Sequence, residues 1–175
     1  VFWIKQENEN WVKNNPEISL NIQTETYKYP SVNIIGKIEG TDPQLKKEYV
    51  LLSGHQDHDG IRHPVKNDTI YNGADDNAST CVAMLAMARA YSKQPSKRSI
   101  LFVIHGAEER GLLGSRWHAA HPVVPKESIV AVLNGDMIGR NDNNEAALLG
   151  GDAPHKNSEE LVKMALDANN ESTKF

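Results

Sequence analysis

Three short apolar runs, YVLLS at 49–53, SILFVIH at 99–105 and IVAVLN at 129–134, constrain this chain more than any other feature. Each has the length of a strand buried on both faces, and strands of that kind belong in the centre of a parallel sheet covered by helices. Between the first two lies ASTCVAMLAMARAY, where Cys81, Val82, Leu85, Ala86 and Ala88 form a wide helical face. Between the last two, GLLGSRWHAAH predicts a shorter helix. The expected order is therefore strand, helix, strand, helix, strand, which is an α/β arrangement.

The flanks are less regular. Trp3, Ile4, Trp11 and Val12 predict an amphipathic first helix that ends before Pro16 and packs on a sheet. ISLNIQTETY at 18–27 and VNIIGKIEG at 32–40 are rich in β-branched residues and predict an antiparallel pair, with turns at Pro30 and at TDPQ from Thr41. A further strand is expected over EAALLG at 145–150. A last helix is expected around Leu161, Val162, Ala165 and Leu166, started by Asn157 with Glu160 three residues on. At 175 residues, with 39% hydrophobic and 24% charged residues, the chain has the size of one ordinary domain. The formal charge of -4 comes from intermixed acids and bases, so nucleic acid is not an expected partner. No run approaches the roughly 20 apolar residues of a membrane span. The opening VFWIKQENEN lacks the order of a signal peptide, and the chain is read as soluble and already trimmed. Cys81 is the single cysteine, read as a small hydrophobe in its helix.

In an open α/β sheet the ligand crevice lies beyond the carboxyl ends of the parallel strands. The residues there are Gly54-His55-Gln56-Asp57, then Gly73-Ala74-Asp75-Asp76-Asn77 at a helix start, then His105-Gly106-Ala107-Glu108-Glu109, and finally Gly135-Asp136. Taken singly, each has an ordinary explanation, such as a helix cap or a solvated turn. Together they bring carboxylates and imidazole to one edge, where like charges repel and raise one another's pKa unless a cation compensates them. Imidazole with carboxylate oxygens suits zinc, and a carboxylate bridging two metals about 3.5–4 Å apart is a hydrolytic arrangement. His55 and Asp57 project to the same side of a continuing strand, so the acid can fix the ring. The adjacent Glu108 and Glu109 point differently, leaving one free as a base while the other binds metal.

Through GHQD, GADDNAS, AEERGLLGS and NGDMIG, from about Tyr49 to Arg140, the chain resembles the zinc-dependent metallopeptidases of clan MH. These include secreted bacterial leucyl aminopeptidases, with glutamate carboxypeptidases and glutaminyl cyclases as relatives. The resemblance implies the zinc-exopeptidase (phosphorylase/hydrolase-like) α/β fold: a mixed, mainly parallel central sheet sandwiched between helices. It also implies two zinc ions per complete site. His55 would bind one zinc, Asp76 would bridge both, and Glu109 and Asp136 would each bind one metal. Glu108 would be the general base and Asp57 the acid that orients the histidine. Counting back from the Ala-Ser helix start selects Asp76 over Asp75.

The family takes a further zinc-binding histidine from a segment well downstream, and nothing in this chain matches it. His155 lies too early, and His58, His63, His105, His118 and His121 have no motif position. Residues 1–175 are thus expected to form a single incomplete catalytic domain whose closing strands and helices are missing. The implied activity is an aminopeptidase acting on peptides, extracellular, periplasmic or associated with the cell envelope. Arg62, Arg110, Arg116 and Arg140 keep a carboxypeptidase open, and glutaminyl cyclisation and a non-catalytic binding module are the other readings.

Overall fold

The computed structural model describes residues 4–15, 17, 19–140, 145, 147–149 and 158–172. The chain divides into two compact units, 1–30 and 31–175. In the first unit a short 3-10 turn at Gln6–Asn8 leads into a helix, α1, at Glu9–Asn14. Trp3, Pro16 and Ile18 lie outside the described residues, and 19–27 form no strand. The antiparallel pair expected between 18–27 and 32–40 is therefore corrected.

In the second unit the strand Ile34–Ile38 (β1) forms, but its partner is Ser99–His105 (β5), antiparallel, with Ile34 opposite Ile104. Tyr49–His55 (β2) pairs in parallel with β5 on one side and with Ile129–Asn134 (β6) on the other. The sheet order is β1-β5-β2-β6, mixed and mainly parallel as expected. The chain leaves β2 for β5 on one flank and then crosses to β6 on the other. The carboxyl end of β2 is thus the topological switch point where such sheets hold ligands.

The apolar runs work as two-sided strands because alternate residues feed opposite faces. Leu52, Ile100 and Phe102 pack on one face with Met84, while Leu51, Leu101 and Val103 form the core of the other. β6 departs from the expectation: Val130, Val132 and Leu133 stay well exposed, and β6 pairs only with β2 among the described residues.

The helix α2 spans Thr80–Lys93, and its buried seam differs from the one expected. Thr80 and Met84 are buried, and Met87, Ala88 and Tyr91 continue the seam, whereas Val82 and Leu85 are both 64% exposed. The seam is set by the close approach of the first turn of α2 to two strand exits. A Cβ at Gly54 would lie 2.6 Å from the Thr80 methyl, and one at Gly135 would lie 2.7 Å from it. Only glycine at both points lets the helix start sit over the strand ends.

The helix α3 spans Leu113–Ala120 as expected. The polar stretch after β2 contains a hairpin that the sequence pattern did not reveal, Gly60–Val65 (β3) with Asp68–Tyr71 (β4). Lys66 and Asn67 turn it with positive φ of 49° and 70°. Of the strand expected at 145–150, Glu145 and 147–149 are described and are not in a strand. The helix α4 spans Glu159–Ser172; Asn157 lies outside the described residues, and the Ser158 hydroxyl accepts from Leu161 N–H at 3.4 Å.

Leu101 is 1% exposed in the centre of this sheet. Leu101→Ala is expected to cost about 2–5 kcal/mol in denaturant unfolding of the metal-free chain. Leu85→Ala, at an exposed helix position, should cost under about 1 kcal/mol.

Candidate metal centre

His55 closes β2 with its side chain buried at the switch point. Its Nδ1 lies 2.9 Å from the main-chain carbonyl of Asp57. A carbonyl only accepts, so Nδ1 carries the hydrogen and Nε2 is the nitrogen presented to the acids. Around Nε2 stand Asp76 Oδ1 at 3.1 Å, Asp136 Oδ1 at 3.7 Å and Glu108 Oε2 at 3.9 Å.

The other oxygen of Asp76 serves a second group. Its Oδ2 lies 3.8 Å from His58 Nδ1, and the same nitrogen is 2.7 Å from Glu109 Oε1. Two triads with mutually close ligand atoms result, His55-Asp76-Asp136 and His58-Asp76-Glu109, and they share Asp76. Glu108 belongs to neither. Every residue expected at the site, His55, Asp57, Asp76, Glu108, Glu109 and Asp136, is brought to this edge. His58, given no place by the motifs, is brought there as well. His155 lies outside the described residues.

Asp57 positions more than a ring. Its carboxylate accepts the main-chain N–H of Glu108 at 2.9 Å and that of Glu109 at 3.2 Å, while its Oδ1 stays 3.9 Å from His55 Nδ1. The ring contact is therefore made by the Asp57 carbonyl, and the carboxylate clamps the turn that carries both glutamates. That turn begins at Ala107, whose φ of 53° is left-handed, and Met137 directly after Asp136 has φ 52°. A non-glycine residue in this region is strained, and strain of this kind gathers at functional sites.

Asp76 and Asn77 interrupt the helical turn Ala74–Ser79 with non-helical backbone angles, which turns Asp76 toward the histidines. The neighbouring Asp75 is committed elsewhere, its Oδ1 accepting Gly139 N–H at 2.8 Å. Asn77, 1% exposed, ties the loop of Asp136 in place: its amide donates to Gly135 O at 3.0 Å and accepts from Met137 N–H at 3.3 Å.

Among the described residues, the basic side chains within ion-pair distance of Asp57, Asp76, Glu108, Glu109 and Asp136 are His55 and His58 alone; neither Lys nor Arg joins them. The pKa of Glu108 is raised, chiefly by burial and then by Glu109, Asp136 and Asp57, with His55 acting in the opposite sense. A divalent cation fits this donor set, because it offsets the repulsion and accepts both imidazole and carboxylate ligands.

Two of the cavities beside the acids, among the described residues, reach His55 and His58. One of about 560 Å³ is lined by Leu51, Glu108, Leu112, His118 and Val132 among others. His105 and His118 in its wall have ring centroids 5.8 Å apart, and burial lowers both pKa values, favouring the neutral rings. The other, about 590 Å³, is lined by His58, Asp76, Met137 and Arg140. Behind His55, the Cys81 thiol donates to the His55 carbonyl at 3.1 Å.

The chain is similar to a probable leucine aminopeptidase of Arthroderma otae, 28% identical over 170 residues, which covers 93% of this chain and 44% of that protein. It is similar in structure to a Zn-dependent exopeptidase from Parabacteroides distasonis, with TM-score 0.52 and 29% identity over 62% of this chain and 42% of that one. A glutaminyl cyclase of Bacteroides thetaiotaomicron aligns with TM-score 0.53 and 26% identity, again over 62% of this chain and 42% of that one. The chain thus spans less than half the length of each of these proteins. The sequence model of peptidase family M28 matches residues 33–174, and the chain belongs to that family.

Proposed function

We infer that this chain carries the metal centre of a zinc-dependent exopeptidase that removes amino-terminal residues from peptides. The observation that carries the reading is the pair of imidazole-carboxylate triads sharing Asp76 through different oxygens, with Glu108 left outside both. Zinc bound at this edge would act as a Lewis acid, polarising the scissile carbonyl and lowering the pKa of water toward neutrality.

The chain's own residues do the rest. Glu108, near His55 yet outside both triads, takes the proton of the attacking water and passes it to the leaving amine. Asp57 fixes the main chain of Glu108 and Glu109 together, so base and ligand keep a constant separation. The uncompensated acids attract the free amine of a peptide; in the adjoining cavity burial disfavours the charged forms of His105 and His118, and Lys126 is the cation of the lining. A carboxypeptidase needs a cationic pocket. Arg62 is paired with Asp59, while Arg140 lines the cavity on the Asp76 side. Hydrolysis of an aminoacyl-anilide, with an N-blocked dipeptide left intact, supports the aminopeptidase. The opposite preference would make Lys126 or Arg140 the carboxylate partner and replace this reading. A location outside the cytosol, in the medium, the periplasm or the cell envelope, belongs to the same reading and is checked by cell fractionation.

Glu108→Gln is expected to leave zinc content unchanged and to lower turnover by about 10²–10⁴-fold, measured by elemental analysis beside the anilide assay. Asp57→Asn removes the charge that holds two N–H groups, and should weaken zinc binding by about 10–100-fold in competition with a chelator.

The raised pKa of Glu108 gives a third expectation. Folding favours its protonated form, so its stabilising contribution is present below the ordinary value of 4.5 and is lost as pH rises through the raised folded value. In the metal-free chain, Glu108→Gln should raise the thermal midpoint near pH 7, and the gain should vanish below pH about 4.

A further inference from the structure

We propose that His58 is itself a metal ligand, and that its Nδ1 completes the second zinc site together with Asp76 and Glu109. The inference rests on the zinc reading above and goes beyond it in assigning the second imidazole. The resemblance leaves that position to a histidine far downstream, whereas the fold delivers one from the segment that directly follows β2.

The donor sets of the two triads are alike, one imidazole nitrogen and two carboxylates each. His58 Nδ1 points between Glu109 Oε1 at 2.7 Å and Asp76 Oδ2 at 3.8 Å, so the same atom faces both acids. The ring is seated by its surroundings. Its centroid lies 6.5 Å from that of Tyr71 at the end of the β3–β4 hairpin, and a Cβ at Gly73 would come within 2.6 Å of the His58 Cβ. Gly73 has φ 67°, so this close passage of two loops is built on a residue suited to it. The side chains of His58, Asp76 and Glu109 are 22%, 30% and 22% exposed. They are covered enough to hold an ion, and the 590 Å³ cavity leaves a face open to water or substrate.

Without metal, Nδ1–H donates to Glu109 Oε1. Metal binding would use the other tautomer of the neutral ring, with the hydrogen on Nε2 and the Nδ1 lone pair turned toward Glu109 and Asp76.

The test is zinc per chain by elemental analysis, on the 175-residue protein equilibrated with zinc ion and freed of excess. Two zinc ions in the unaltered chain, two in His63→Ala and one in His58→Ala support the assignment. His58→Asn keeps a donor toward Glu109 but is a poor zinc ligand, and it should also hold one; it decides the matter if the alanine variant does not fold. Cobalt absorption gives an independent reading, since only one of two visible bands sets should survive in the His58 variants. Two zinc ions in a folded His58 variant would overturn the proposal. One zinc ion in the unaltered chain would also overturn it while leaving the first site and the peptidase reading intact. No zinc at all would remove both.

Discussion

The repulsion among Asp57, Asp76, Glu108, Glu109 and Asp136 is the constraint on which the rest of this structure depends. Their basic neighbours among the described residues are two imidazoles, and a cluster of that composition disfavours its own compact geometry. The fold holds it by distributing the acids over separate exits. Asp57 follows β2, Asp76 precedes α2, the glutamates follow β5 and Asp136 follows β6. No single element has to carry more than the pair Glu108 and Glu109, and that pair is tied by two N–H groups to a third acid.

The same division explains which parts of the molecule could be read from residues alone. β2 and β5 are legible because both faces are buried and their apolar runs are continuous. The acids at their ends are legible because the crevice of such a sheet has a known place. The partner of β1 was not, since alternation in VNIIGKIEG marks a strand but carries nothing about which strand it joins. The hairpin was hidden for a different reason: every residue of β3 is exposed, so no apolar period marks it. The seam of α2 was displaced from Leu85 to Met84 because contact with Gly54 and Gly135, residues far apart in sequence, fixes how the helix is turned.

His58 shows the limit of motif spacing most clearly. Its hydrogen-bond partner, Glu109, is 51 residues away, and that proximity comes from the parallel pairing of β2 with β5. In register, His55 stands opposite His105, so the segments that follow the two strands leave the sheet side by side. Asp57 then meets the N–H groups of Glu108 and Glu109 while His58 meets the Glu109 carboxylate. One pairing register therefore sets three contacts, and a one-residue slip would send the side chains to the opposite face.

The two triads differ in how firmly they are prepared. His55 belongs to a strand, is 4% exposed, and has its free nitrogen selected by a carbonyl two residues on. His58 lies beyond the strand, is 22% exposed, and is positioned by a tyrosine ring and a glycine turn. A ligand whose orientation is already fixed loses less conformational freedom on binding, so the His55 site should fill first. Asp76, bound through one oxygen, would then present the other to His58 and Glu109 with its rotamer already chosen. Filling the first site would thereby organise the second, and the order would follow from burial and backbone contacts rather than from any difference in ligand type.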